Sequence, residues 1–160
     1  MKNLWITFQH SLKLPQKNAV FTLNRIRMDT TVFYLFILLA IVSLPELVNQ
    51  ILADDTAGFN VNIFFLLIYF FIFYYLMLVF IVFAILSIIA YISLIISRGL
   101  KRKLHYSILW KMSAFATTVP FILYTIISFF YSLSYLFLTL ATIYIFFMIV
   151  KIILIYPKRK

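Results

Sequence analysis

From Val61 to Ser97 the chain carries no charged side chain. As a single helix this run would be about 55 Å long, against a bilayer hydrocarbon core of about 30 Å. A soluble domain has no interior that can bury such a segment, so the run predicts a membrane protein. Composition agrees: 66% of the 160 residues are hydrophobic and only 11% are charged, where globular chains average about half and about a quarter. Two more apolar stretches flank the run. One is Thr31–Leu52; the other, Met112–Tyr156, is long enough for two crossings with a natural break at Tyr131–Ser134. Gly occurs twice and Pro four times, so helix breakers are scarce. The length predicts one membrane domain over residues 1–160.

Charge decides the topology. The chain has 14 Lys and Arg, four Asp and Glu, and a net charge of +10. The basic residues cluster before the first apolar run (Lys2, Lys13, Lys17, Arg25, Arg27), around a loop (Arg98, Lys101, Arg102, Lys103, Lys111) and at the end (Lys151, Lys158, Arg159, Lys160). A single crossing in 61–97 keeps all of them on one side, with Glu46, Asp54 and Asp55 on the other. Two crossings would export the loop and the tail, which the positive-inside rule opposes. The expected fold is therefore an all-α, polytopic membrane helix bundle of four spans, at about 31–52, 63–97, 112–131 and 134–156. Residues 1–29 are expected to be cytoplasmic or interfacial and 98–111 to form a cytoplasmic basic loop. Both termini are expected on the cytoplasmic face of a plasma membrane. Excess length in 61–97 must be tilt, an interfacial segment or an extension beyond the bilayer, in continuous helix.

The N-terminal stretch MKNLWITFQHSLKL sets Leu4, Trp5, Phe8 and Leu12 on one helical face. This reads as an interfacial amphipathic helix lying on the inner leaflet and ended by Pro15; packing against the basic loop is the other reading. In the loop, Arg98, Lys101, Arg102 and Lys103 could attract anionic lipid, with Trp110 at the interface. Trp5, Phe8, these four basic residues and Trp110 form the candidate surface for docking lipid or a partner. The same charges are also explained as a topology signal alone.

Chemistry is sparse. There is no Cys, and only two His, both on the basic side of the predicted topology, away from Glu46, Asp54 and Asp55. No spacing brings three metal ligands together, and no base lies at the depth of the many Ser and Thr. No catalytic residue, metal or cofactor is expected, and nucleic acid is not an expected partner, because orientation accounts for the positive charge. Ser43, Glu46 and Gln50 fall on one helical face with Asn49 beside it, a candidate polar site toward the outer leaflet. A carboxylate inside a span is a functional hypothesis; a headgroup-level Glu in contact with water is the simpler reading. Pro45 and Pro120 are expected to kink the first and third spans, each beside hydroxyls that can satisfy freed backbone groups. Ser87, Ala90, Ser93 and Ser97 in one helix, and Ser113, Ala114, Thr117 and Thr118 in the next, predict close approach of those two helices.

Three stretches carry a family resemblance: FQHSLKLPQKNAVF, with Phe8, Ser11, Pro15, Lys17 and Phe21; the Leu44–Pro45 pair; and RKLHYSILWKMSAFATTVP, with Tyr106, Trp110, Ser113, Thr118 and Pro120. The chain resembles a family of uncharacterised bacterial membrane proteins that includes MalA-type maltodextrose-utilisation proteins, with a distant resemblance to the Yip1 clan. The resemblance implies no activity, only an association with sugar uptake. It also implies a sizeable segment after the first span, where this chain has about ten polar residues. The expected function is a non-enzymatic accessory or regulatory membrane protein that binds another membrane protein or a second copy of itself. The alternatives are a small oligomeric transporter or channel, and an anionic-lipid-binding or membrane-shaping protein.

Overall fold

The computed structural model describes residues 2–57, 62–130 and 135–157. The side chains of Asp54 and Asp55, the break at 131–134 and the basic residues 158–160 lie outside the described set. All elements are helical: α1 (Lys2–Leu12), α2 (Lys17–Asn24), α3 (Met28–Ala57), α4 (Ile63–Tyr69), a π-helical segment (Phe70–Tyr75), α5 (Leu76–Gly99), α6 (Tyr106–Ala116), α7 (Thr118–Ser128) and α8 (Tyr135–Ile155). Three stretches are long and apolar enough to cross a membrane: Met28–Leu52, Ile63–Gly99 and Tyr106–Ser128. A shorter apolar helix covers Thr139–Ile155.

The centre of the bundle is α6. Every residue from Leu109 to Thr118 is buried, and α6 packs on α5 most extensively, then on α8, α3 and α2. Small residues allow that approach. Ala90, Ser93 and Ser97 of α5 meet a segment in which Ser113, Ala114 and Thr118 are fully buried, as the spacing of small residues predicts. The buried Ser93 and Ser97 Oγ atoms have no hydrogen-bond partner among the described residues, whereas Ser113 Oγ donates to the Leu109 carbonyl at 2.9 Å and Thr117 Oγ1 to that of Ala114 at 2.7 Å. In apolar surroundings this costs less than an unpaired hydroxyl.

The two prolines behave differently. Helix α3 runs through Pro45 without interruption, and Ser43 Oγ donates to the Ala40 carbonyl at 2.8 Å. Pro120 sits in the first turn of α7, where a missing N–H breaks little. The division between α6 and α7 falls at Thr117, three residues before it.

The predicted 61–97 helix is continuous from Ile63 to Gly99, but with a π-helical turn inside it. The Leu76 N–H bonds to the Phe71 carbonyl five residues back. One extra residue per turn shifts the phase of the helix, burying Phe70 and letting the Tyr75 hydroxyl donate to the Phe36 carbonyl at 3.0 Å. No Gly or Pro marks this turn.

Helix α1 packs on the bundle through a face of small residues. Its inward face is Thr7 and Ser11, at 0% and 1% exposure, while Trp5 is 62% exposed. The helix packs on α2, α6 and α7, with Leu4 and Phe8 partly buried against the core. It therefore leans on the bundle through that face, while Trp5 and Leu12 of the apolar stripe stay exposed. The physical reason is size: Ser11 satisfies its hydroxyl on the Thr7 carbonyl at 2.8 Å, so two small residues let the backbone come close where Trp5 could not.

α5 ends in a left-handed cap. The Arg102 N–H bonds to the Ser97 carbonyl at 2.9 Å and the Lys101 N–H to that of Arg98 at 3.0 Å, with Lys101 at φ 52°. Glycine suits this conformation better than lysine. Lys101→Gly is expected to raise stability by about 1 kcal/mol, seen as a higher unfolding midpoint in mixed micelles.

Candidate functional site

A lateral groove of about 430 Å³ lies between α5 and α8. Its floor is Leu39 and Val42 of α3, Leu86 of α5 and Ile145 of α8, all buried. One rim is Phe73, Met77, Ile81 and Ile85, a stripe at four-residue spacing that is 43–63% exposed. The groove thus opens sideways, toward whatever surrounds the bundle. Lining residues run from Phe73 to Leu86 along the second long helix and from Thr117 to Tyr124 along the third. Consecutive packed helices joined by a short loop run antiparallel, so Tyr74 and Tyr124 mark one end of the groove, with Leu86 and Thr117 at the other; Glu46 follows the lining residue Val42 by one turn on the same face of α3. A second cavity, about 460 Å³, lies between α1 and α3 with α7; Leu4, Trp5, Phe8 and Tyr34 are among its lining residues.

Of the predicted polar site, Glu46 and Gln50 do come together: Gln50 Nε2 donates to Glu46 Oε1 at 3.1 Å. Ser43 turns to its own helix backbone, and Asn49 is exposed. Glu46 has no cationic partner among the described residues, where the one ion pair is Arg27–Asp29. The π-helical turn supplies the groove's Tyr74, and α7 supplies Tyr124. The sequence reading missed both, because their place in one groove is a product of packing between helices.

The predicted docking surface is divided. Arg98, Lys101 and Lys103 are exposed. The Arg102 guanidinium instead donates from Nη1 to the Tyr156 backbone carbonyl at the end of α8. Trp110, expected at the interface, is only 4% exposed; its ring packs against Phe83 and its Nε1 donates to Ser87 Oγ at 3.3 Å. Trp5 is exposed and stacked on Phe8 with centroids 5.8 Å apart. Lys151 extends over the Phe147 ring, 4.5 Å from its centroid.

By its charge and position alone, Lys111 reads as part of the basic loop. It lies instead inside α6, 9% exposed, and its Nζ donates to the Asn24 and Ile26 carbonyls at 2.8 Å each. It caps the end of α2 and ties the N-terminal segment to the centre of the bundle. Among the described residues no three His, Asp or Glu side chains gather as metal ligands.

Comparison with known families gives one match. The model of a family described as a protein of unknown function (DUF1189) matches residues 46–156. The match takes in Glu46, the groove-lining residues of α5, α7 and α8, and the RKLHYSILWKMSAFATTVP segment; the FQHSLKLPQKNAVF segment lies before it. No curated protein and no solved structure matches.

Proposed function

The chain belongs to this family of unknown function, DUF1189, and from its own residues we propose that it is a four-span, non-enzymatic membrane protein that binds a second integral membrane protein through α4 and the π-helical turn. The observation that carries this reading is that α4 buries none of its residues. Phe64, Phe65, Ile68 and Tyr69 are 57–71% exposed. A helix of 37 residues from Ile63 to Gly99 is about 55 Å long. Even tilted by 40° it spans about 42 Å, more than the ~30 Å hydrocarbon core. One end of the helix therefore projects past the core, and its aromatic face there is costly in water unless a partner covers it. The fourth crossing in this reading is α8, whose 21 residues give about 31 Å. The charge distribution supports cytoplasmic termini. The resemblance to MalA-type proteins directs the first search for a partner to membrane components of sugar uptake.

A photo-crosslinking amino acid at Phe65, compared with one at Tyr91 on the exposed side of α5, tests the interface in native membranes. The expected result is a discrete protein adduct from position 65 and none from position 91. Lipid adducts alone at both positions would overturn the proposal. An adduct at twice the chain's mass would replace the foreign partner with a second copy.

The anionic-lipid reading of the basic loop is weaker, since Arg102 is engaged with Tyr156 and Trp110 is buried.

A further inference from the structure

From a different observation, the groove that begins at Phe73 and Tyr74 of the π-helical turn, we propose that the space between α5 and α8 binds one acyl chain of a phospholipid with an ethanolamine headgroup. Four observations lead there. First, the groove opens along the exposed stripe Phe73–Met77–Ile81–Ile85, on the flank of membrane-length helices, so its ligand enters from the hydrocarbon and not from water. Second, its length suits one leaflet: Tyr74 to Leu86 is about 18 Å by helical rise, against about 15 Å for half a hydrocarbon core. Third, the walls are apolar except for hydroxyls, and the Tyr74 and Tyr124 hydroxyls belong to one end. An acyl chain needs no hydrogen bonds along its length, and the ester and phosphate at its head can accept from two phenols. Fourth, Glu46 lies one turn beyond the lining residue Val42 on the same face of α3, toward that end, with no ion-pair partner among the described residues.

The carboxylate selects the headgroup. A primary ammonium supplies both the missing positive charge and N–H donors. A quaternary choline carries the charge without a donor, and a phosphoglycerol head is anionic and would be repelled. The π-helical turn gives the site its shape, because the extra residue between α4 and α5 presents Tyr74 to the groove while Tyr75 reaches α3. π-Bulges inside α-helices often occur at functional sites.

The test uses the full chain in phosphatidylglycerol nanodiscs containing a minor fraction of phosphatidylethanolamine with a mid-chain diazirine. After irradiation, adducts are mapped to residues by mass spectrometry. Adducts are expected to concentrate on Leu78, Val82 and Ile145 over the lipid-facing Ile88 and Tyr91. Unlabelled phosphatidylethanolamine is expected to compete at least tenfold better than added phosphatidylglycerol. Met77→Trp closes the mouth of the groove from its exposed rim without touching the packed core, and should lower groove labelling at least fivefold. Glu46→Gln should leave groove labelling in place and abolish the preference between headgroups. Adducts spread evenly over lipid-facing residues, or groove labelling unchanged in Met77→Trp, would overturn the site. Equal competition by the two lipids against the unaltered chain would overturn the headgroup assignment.

Discussion

Replacing Lys111 with methionine will destabilise the protein by about 3 kcal/mol, although the substitution makes the chain more apolar. The lysine Nζ donates to two carbonyls, Asn24 and Ile26, at 2.8 Å each. Hydrogen bonds to a charged donor contribute about 1.5–3 kcal/mol each. Methionine keeps the aliphatic stem but leaves both carbonyls without that donor, and it removes a cation from the C-terminal end of α2. Both carbonyls belong to partly buried residues, where water reaches them incompletely, so the lower end of the range applies. Reversible unfolding in mixed micelles, followed by helicity, measures the loss. Lys103→Met is the control: that side chain is exposed, and its change should fall within about 0.5 kcal/mol. Equal effects at the two positions would show that loss of charge, and not loss of the cap, is responsible.

The second large effect is expected from Phe115→Ala. Phe115 is fully buried and packs on Tyr34 with ring centroids 5.8 Å apart at 58°; Tyr34 in turn shares a 2.8 Å hydrogen bond with Thr118. In water-soluble cores Phe→Ala costs about 3–5 kcal/mol, partly for transfer and partly for the cavity. Lipid is as apolar as the helix interior, so the transfer part largely falls away and the packing part remains. A cost of about 2–3 kcal/mol is expected by the same unfolding measurement, with Tyr34 loosened from Thr118. Phe115→Leu should recover more than half of it, because the residual cavity is smaller. No recovery would mean that the aromatic contact with Tyr34, rather than volume, dominates at this position.

The long apolar runs are legible because a bilayer imposes one rule on them: backbone polar groups must be satisfied within the segment, and helix does that. The small-residue stripes were legible for a similar reason, since only Gly, Ala, Ser and Thr allow backbones to approach closely. The Glu46–Gln50 contact follows from i, i+4 spacing alone. Other features depend on packing that one helix does not encode. Thr7 and Ser11 are less apolar than Trp5 and Phe8, so hydropathy alone does not mark the face that α1 buries. Lys111 looks like loop charge until the Asn24 and Ile26 carbonyls are there to receive it. The π-helical turn carries no breaker residue, and the groove exists only where four helices leave space between them.

The burial of α6 on all sides bears on how the chain enters a membrane. Tyr106–Ser128 is the least apolar of the three membrane-length helices, because Lys111, Ser113, Thr117 and Thr118 lie in it. Alone in the insertion machinery such a segment partitions weakly into lipid, since a charged residue and several hydroxyls oppose transfer. Its partners α3 and α5 are synthesised before it, and they offer the packed, hydrogen-bonded surroundings that lipid lacks. The order of helices along the chain therefore doubles as an order of assembly, in which the two strongly apolar helices enter first and retain the third.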